Sequence, residues 1–270
     1  MASESAEAIG IERQAASLAE LADRWIYVVV GTLFLATVLV GFIPTSIEKL
    51  DAVAAGARPP LPGFMHFHAV MMGSWIMLLL AQSALVAQGN RAVHMRLGIV
   101  SVFLIPAVVI SMVGVAGANF TQLAAVAPDL MPEDLLGRRR VGVSNTMLAQ
   151  IRMVLLFPVL AFWAVLVRKE DSETHKRLMF VATLPLLSAA IDRIDWLRTF
   201  LPGQPLFMDV TQLAWLSPLL IYDVWRRGRL HKAYVIGIAV NLPFIVFTHI
   251  AWGTDWWLAA APKVFGIQSW

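Results

Sequence analysis

The 270 residues include no cysteine. Disulfides, iron–sulfur clusters and thiolate zinc sites are excluded with it. Charge is scarce as well. Only 14% of the residues are Asp, Glu, Lys or Arg, against about 25% in soluble domains. The net charge is +3, and no basic cluster is interleaved with aromatics, so the chain carries no nucleic-acid face. Gly-x-Ser-x-Gly, His-Glu-x-x-His and phosphate-loop motifs are all missing. Serine, histidine and aspartate occur, but no spacing picks out a catalytic triad. The N-terminus, "MASESAEAIGIERQAASLAELADRW", is polar and acidic. It lacks a basic stretch running straight into a short apolar core, which predicts that the first span stays in the mature chain.

What is plentiful is apolar surface. Hydrophobic residues make up 59% of the chain and the mean hydropathy is +0.71. A helix needs about 20 mostly apolar residues to cross a bilayer. Seven runs meet or approach that, roughly 25–44, 66–88, 96–117, 145–167, 177–197, 209–225 and 232–252. The fold expected is all-α, a polytopic membrane helix bundle of seven spans. Residues 1–24 form an N-terminal segment, 25–257 the membrane domain and 258–270 a tail. The lipid bilayer is the expected partner.

Three links between these runs are short and basic: "QGNRAVHMR", "RKEDSETHKR" and "RRGRLHK". The positive-inside rule places them in the cytoplasm. Twelve of the 21 basic residues then lie inside and eight outside, with Arg152 within a span. The "RRR" at 138–140 opposes the trend, but it sits in a longer loop, 118–144, where the rule is weaker. "PDLMPEDLLGRRR" in that loop has the pattern of a short amphipathic helix. The N-terminus is expected in the cytoplasm and the C-terminus outside, in a bacterial inner membrane.

Each basic link also carries a histidine, and the span after it a proline. The pairs are His94 and Pro106, His175 and Pro185, and His231 and Pro243. This predicts three tandem helical hairpins behind an extra first span. The repeat is parallel and lacks the inverted symmetry of many secondary transporters. A plainer role for these histidines is in the headgroup layer, bonded to backbone or lipid phosphate.

Ionisable groups within a bilayer are costly and so are candidates for function. Here they gather toward one side. "GFMHFHAVMMGSW" places His66 and His68 at the outer mouth of the second span. Arg152 lies in the fourth, Asp192, Arg193 and Asp195 in the fifth, Asp209 and Gln212 in the sixth, and His249 in the seventh with Asp255 just beyond. At about 100° per residue, His68, Met72, Trp75, Leu79 and Gln82 form one stripe. Asn145 shares a face with Arg152, and Asn241 with Thr248. His68, Arg152, Asp192, Asp209 and His249 are the expected lining of an outward-facing pocket. His68 and His249 are its candidate metal ligands. Arg152 and Asp192 are the expected ion pair, either beside that site or simply holding helices together.

"HAVMMGSWIMLLLAQSALVAQGNRAVHMRLG", followed by "RKEDSETHKRLMFVAT", "RLHKAYVIG" and "GTDWW", resembles a group of uncharacterised bacterial multi-pass inner-membrane proteins. The resemblance covers roughly residues 60–257 and carries no activity with it. A more distant similarity is to the ascorbate-dependent cytochrome b family, in which four helices hold two haems between paired histidines. That similarity implies His68 with Met72, then His94 and His175, at the positions the pattern uses. An inner haem b would sit between His94 and His175. The fourth span departs from the pattern, with Asn145, Gln150 and Arg152 where an outer-haem histidine belongs.

Three functions stand open on this sequence. One is a binder or transporter whose outer polar pocket takes a metal, a proton or a small ligand. Another is a haem b-binding membrane redox protein. The last is a structural subunit of a membrane complex, or a homo-oligomer, with no chemistry of its own. The sequence assigns no enzymatic activity and no substrate.

Overall fold

A computed structural model describes residues 2–125, 131–200 and 203–268. Among them are nine α-helices and no strand. These are α1 (Ala2–Ala54), α2 (Gly63–Ala87), α3 (Arg91–Ala124), α4 (Glu133–Val167), α5 (Ser172–Ile191), α6 (Asp195–Phe200), α7 (Leu206–Arg227), α8 (Lys232–Ala251) and α9 (Asp255–Ala260), with a closing 3-10 turn, Ala261–Phe265. Five are long and apolar enough to cross a bilayer: α1 from Ala16 onward, α2, α3, α4 and α8. The chain has the build of a multi-pass membrane protein.

Local chemistry explains where the helices start. Asn90 accepts a hydrogen bond from the Val93 N–H at 3.3 Å and caps α3. Asp171 does the same for α5, from the Thr174 N–H at 2.9 Å. The His231 ring accepts from the Ala233 N–H at 3.2 Å at the head of α8. Each cap satisfies a backbone donor that the helix itself cannot. Gly228 ends α7 at φ +66°, a left-handed position suited to glycine. Prolines interrupt six helices, at Pro44, Pro106, Pro158, Pro185, Pro218 and Pro243. At Pro218 the orphaned carbonyl of Ala214 is taken by the Ser217 hydroxyl at 2.7 Å, the kind of repair that lets membrane helices keep prolines.

α5 is the hub. It packs against α1, α4, α7 and α8, while α2 packs between α1 and α3, and α3 between α2 and α4. Trp75 of α2 also reaches α5, donating from Nε1 to the Thr183 hydroxyl at 3.0 Å. Its ring meets Phe157 edge-on at 4.8 Å. Gly41 brings α1 against the Ala190 backbone of α5. Most of α5 is buried, so protein rather than lipid surrounds it.

The structure revises the expected elements in several places. The run 177–197 stops at Ile191, with Asp192 as the cap residue and a turn before α6. Neither α5 nor α7 is among the five helices apolar enough to span by themselves. A helix sheathed by others, as α5 is, needs no lipid-facing surface; α7 is instead two-faced, burying Gln212 and Asp223 and exposing Leu213, Ile221, Val224 and Trp225. The expected loop 118–144 is mostly helix, shared between α3 and α4. α2 with α3, and α4 with α5, are closely packed pairs, but α8 rests mainly on α4 and α5 rather than on α7. His94 and His175 each lie four residues past their cap, whereas His231 is itself the cap. The sequence repeat therefore slips by a turn in its third copy.

The basic links and the α1 residues Asp23 and Arg24 share one end of the bundle, the basic end. There Arg226 reaches Asp23 at 2.8 Å and Arg24 reaches the Ala87 carbonyl at 2.6 Å. At the far end α9 and the 3-10 turn fold back over α3 and α4. Trp257 Nε1 donates to the Ser144 carbonyl at 2.8 Å, the Gly253 N–H to Asn145 Oδ1 at 2.9 Å, and Phe265 packs on Phe120.

Candidate functional site

Arg152 is brought from α4 into the far half of the bundle and is 2% exposed. Its guanidinium donates to three acceptors on two helices. Nε reaches Asn241 Oδ1 at 2.8 Å on α8. Nη1 reaches Asp209 Oδ1 at 2.6 Å, and Nη2 reaches Gln212 Oε1 at 3.1 Å, both on α7. The second oxygen of Asp209 lies 2.7 Å from His249 Nε2 on α8. Gln212 passes the chain on through its amide to the Ser188 hydroxyl of α5 at 3.1 Å. The result is one connected polar run from half-exposed His249 to buried Ser188. Arg cannot shed its proton, and a buried charge has to be paired and bonded. Asp209, Asn241 and Gln212 meet that demand together.

Three of the five expected pocket residues, Arg152, Asp209 and His249, therefore meet. The other two have different partners. Asp192 accepts from the Gln204 amide at 3.2 Å, so the partner of Arg152 is Asp209 rather than Asp192. Arg152 is met from α7 and α8, whereas Asp192 is the cap residue of α5 and opens the turn before α6. Arg193 beside it donates to the Ala189 carbonyl and stacks over Phe42 at 4.5 Å. His68 is bonded through Nδ1 to the Ser111 hydroxyl of α3 at 3.0 Å and does not share a partner with His249. Among the described residues no three His, Cys, Asp or Glu side chains come together as a metal requires. The donor set of the Arg152 cluster fits a divalent cation poorly too, because a fixed guanidinium charge occupies its centre.

A second buried network lies at the basic end. Arg177 of α5 and Asp223 of α7 are both 0% exposed. They face each other through two hydrogen bonds, one from Nε to Oδ2 at 2.7 Å and one from Nη2 to Oδ1. This two-pronged geometry is the one arginine favours with carboxylates. Glu173 receives Arg177 Nη1, Arg227 Nη2 and Lys176 Nζ, each at 2.6 Å. Outside the membrane-spanning segments, Asp171 takes Lys232 Nζ at 2.7 Å and the Thr174 hydroxyl at 2.7 Å. Those bonds, Lys232 first, hold its carboxyl well below the usual range. His231 is pushed below the ordinary histidine value by burial and then by the Arg177 and Arg227 charges.

In the sequence this network is hidden: Arg177 reads as one more charge of the basic link "RKEDSETHKR", and Asp223 lies far from it. A signal was present: Asp223 is an acid inside an apolar run, fourteen residues from Asp209 and within about 40° of its helix face.

The candidate haem ligands His94 and His175 each lie four residues past the cap of their helix, at the basic end. The Nδ1 of His94 and Oε1 of Gln82 are buried without a hydrogen-bond partner, whereas His175 Nδ1 is 2.8 Å from the Ala164 carbonyl.

No family model matches the chain, and neither a curated protein nor a solved structure matches it.

Proposed function

We propose that the protein is a seven-span bacterial inner-membrane protein whose far-end network takes up and releases a proton. On this reading α5 and α7 span the bilayer along with the five apolar helices. The basic end faces the cytoplasm, with the N-terminus, and the far end faces out. The observation that carries the proposal is the position of Asp209, with one oxygen on buried Arg152 and the other on half-exposed His249. Arginine keeps its charge throughout. The members with proton-accepting atoms that meet are Asp209 and His249, 2.7 Å apart. His249 is also the member open to the surroundings, at 37% side-chain exposure. A proton entering at His249 weakens the hold of Asp209 on Arg152 and so is felt inside the bundle. Of a metal, a proton and a small ligand, the proton is the one this donor set favours.

The test is proton flux into liposomes holding the purified protein and a trapped pH-sensitive dye, under an imposed membrane potential. Flux is expected with the natural chain and should be lost in Asp209→Asn and His249→Gln. Equal flux in all three would overturn the reading.

The haem b reading retains one supporting observation. His175 holds its Nδ1 on a backbone carbonyl, which leaves Nε2 for an iron as in typical histidine ligation, and His94, at the same end of the bundle, has a buried ring nitrogen unpartnered. A visible-region spectrum of the purified protein decides it: a Soret band supports haem, and a transparent solution removes it.

A further inference from the structure

Two hydrogen-bonded contacts fix the register of α5 against α7. Ser188 meets Gln212, and Arg177 meets Asp223. The contacts are eleven residues apart on each helix, so the two helices run antiparallel and in step. Eleven residues make three turns to within about 20°, over roughly 16 Å. Both contacts therefore lie along one seam, one toward each end of the bundle. Between them the same faces carry Leu184 on α5 and Leu216 and Leu219 on α7, all buried. The seam reads polar, apolar, polar. Each helix also has a proline within the apolar stretch, Pro185 and Pro218. A proline removes a ladder bond and is where a helix bends.

We infer that the α5–α7 seam is a gated transport route through the bundle. The Arg177–Asp223 pair closes it at the basic end and the Gln212–Ser188 contact, clamped by Arg152 and Asp209, closes it at the far end. Leu184, Leu216 and Leu219 form the dry barrier between. Buried ion pairs suit gates because they are close to balanced: the desolvation of two charges offsets most of their attraction. Breaking one pair opens one end by bending about the proline of that helix while the other pair keeps the opposite end shut. The cargo is the proton of the far-end site, and in that respect the inference rests on the reading above. The route itself rests on the register, the barrier and the prolines.

The absence of cysteine makes the test direct. A single Leu184→Cys substitution puts a thiol in the barrier. A membrane-impermeant thiosulfonate is then applied to right-side-out or inverted vesicles. With no other change the thiol should be unreactive from both sides. Adding Asp223→Asn should raise its labelling about tenfold or more from the basic-end side alone, the effect of about 1.4 kcal/mol on an opening equilibrium. Adding Asp209→Asn should do so from the far side alone. No gain in either background, or gain from the same side in both, overturns the route. Should a charge variant fail to accumulate, a Leu184→Cys, Leu216→Cys chain bridged by a short bis-thiol reagent provides the second arm. Bridging should abolish proton flux that the unbridged chain retains, and persisting flux overturns the route. If side-specific labelling occurs but no proton flux is seen in any chain, the route stands and the proton reading falls.

Discussion

Arg152 Nη1 lies 2.6 Å from Asp209 Oδ1, a salt bridge between residues 57 apart in sequence. The arginine is almost fully buried and the carboxylate mostly so. Removing one partner leaves the other charge uncompensated. Arg152→Leu is expected to cost about 3–5 kcal/mol, and the double change with Asp209→Leu distinctly less. Asp192→Asn, at the end of α5, should leave stability nearly unchanged. Unfolding of detergent-solubilised protein measures all three. A larger loss in the Asp192 variant than in the Arg152 variant would show that the pairing is misassigned.

Gly41 marks the closest approach of α1 to α5. A Cβ there would fall within the Ala190 backbone carbonyl's van der Waals shell, and backbone cannot swing aside. Gly41→Ala is expected to cost about 1–3 kcal/mol as an overpacked site does. Gly73 of α2 has nothing within 4 Å of the same position, so Gly73→Ala should be neutral or gain roughly 0.5–1 kcal/mol. The two midpoints, compared in one detergent, check the contrast.

Asp171 couples stability to pH. Its carboxyl is held below the ordinary 3.8 by Lys232 and Thr174. A depressed carboxylate contributes fully above its unfolded value and loses that contribution as the pH falls through the folded one. The natural chain should therefore exceed Asp171→Ala by about 1 kcal/mol, a typical N-cap effect, at neutral pH. The gap should narrow only below about pH 4. Thermal midpoints of both chains between pH 7 and pH 3 measure it. A gap that closes already at pH 6 would assign the effect to another group.

Single cysteines report the orientation. Gln88 is exposed at the basic end, and Arg58 and Lys263 are exposed beyond the far ends of the helices. With the basic end inside, Gln88→Cys should react with an impermeant reagent in inverted vesicles only. Arg58→Cys and Lys263→Cys should react in right-side-out vesicles only. The reverse pattern would turn the far-end site toward the cytoplasm.

Several features of the fold are legible in short stretches. Long apolar runs give the helices α1 to α4 and α8, because each satisfies its own backbone. Asn90 and Asp171 mark helix starts through bonds to donors three residues away. The run 177–197 is broken at its end, where the charged Asp192 and Arg193 form a turn in space. Of the expected pocket residues His68, Arg152, Asp192, Asp209 and His249, the structure joins Arg152, Asp209 and His249, while His68 and Asp192 have other partners.

The sequence by itself determined an apolar, all-helical chain, the existence of its most apolar helices and the few polar residues that need burial. Those follow from interactions within a few residues, such as helical periodicity, caps and the cost of a bare charge. The tertiary structure alone decided that Arg152 takes Asp209 rather than Asp192, that Arg177 finds Asp223 across 46 residues, and that α5 sits at the hub. Each of those depends on the rotation and register of one helix against another. Neighbouring residues in the chain do not fix these, because they arise from packing of whole faces, here Trp75 on Thr183 and Gly41 on Ala190.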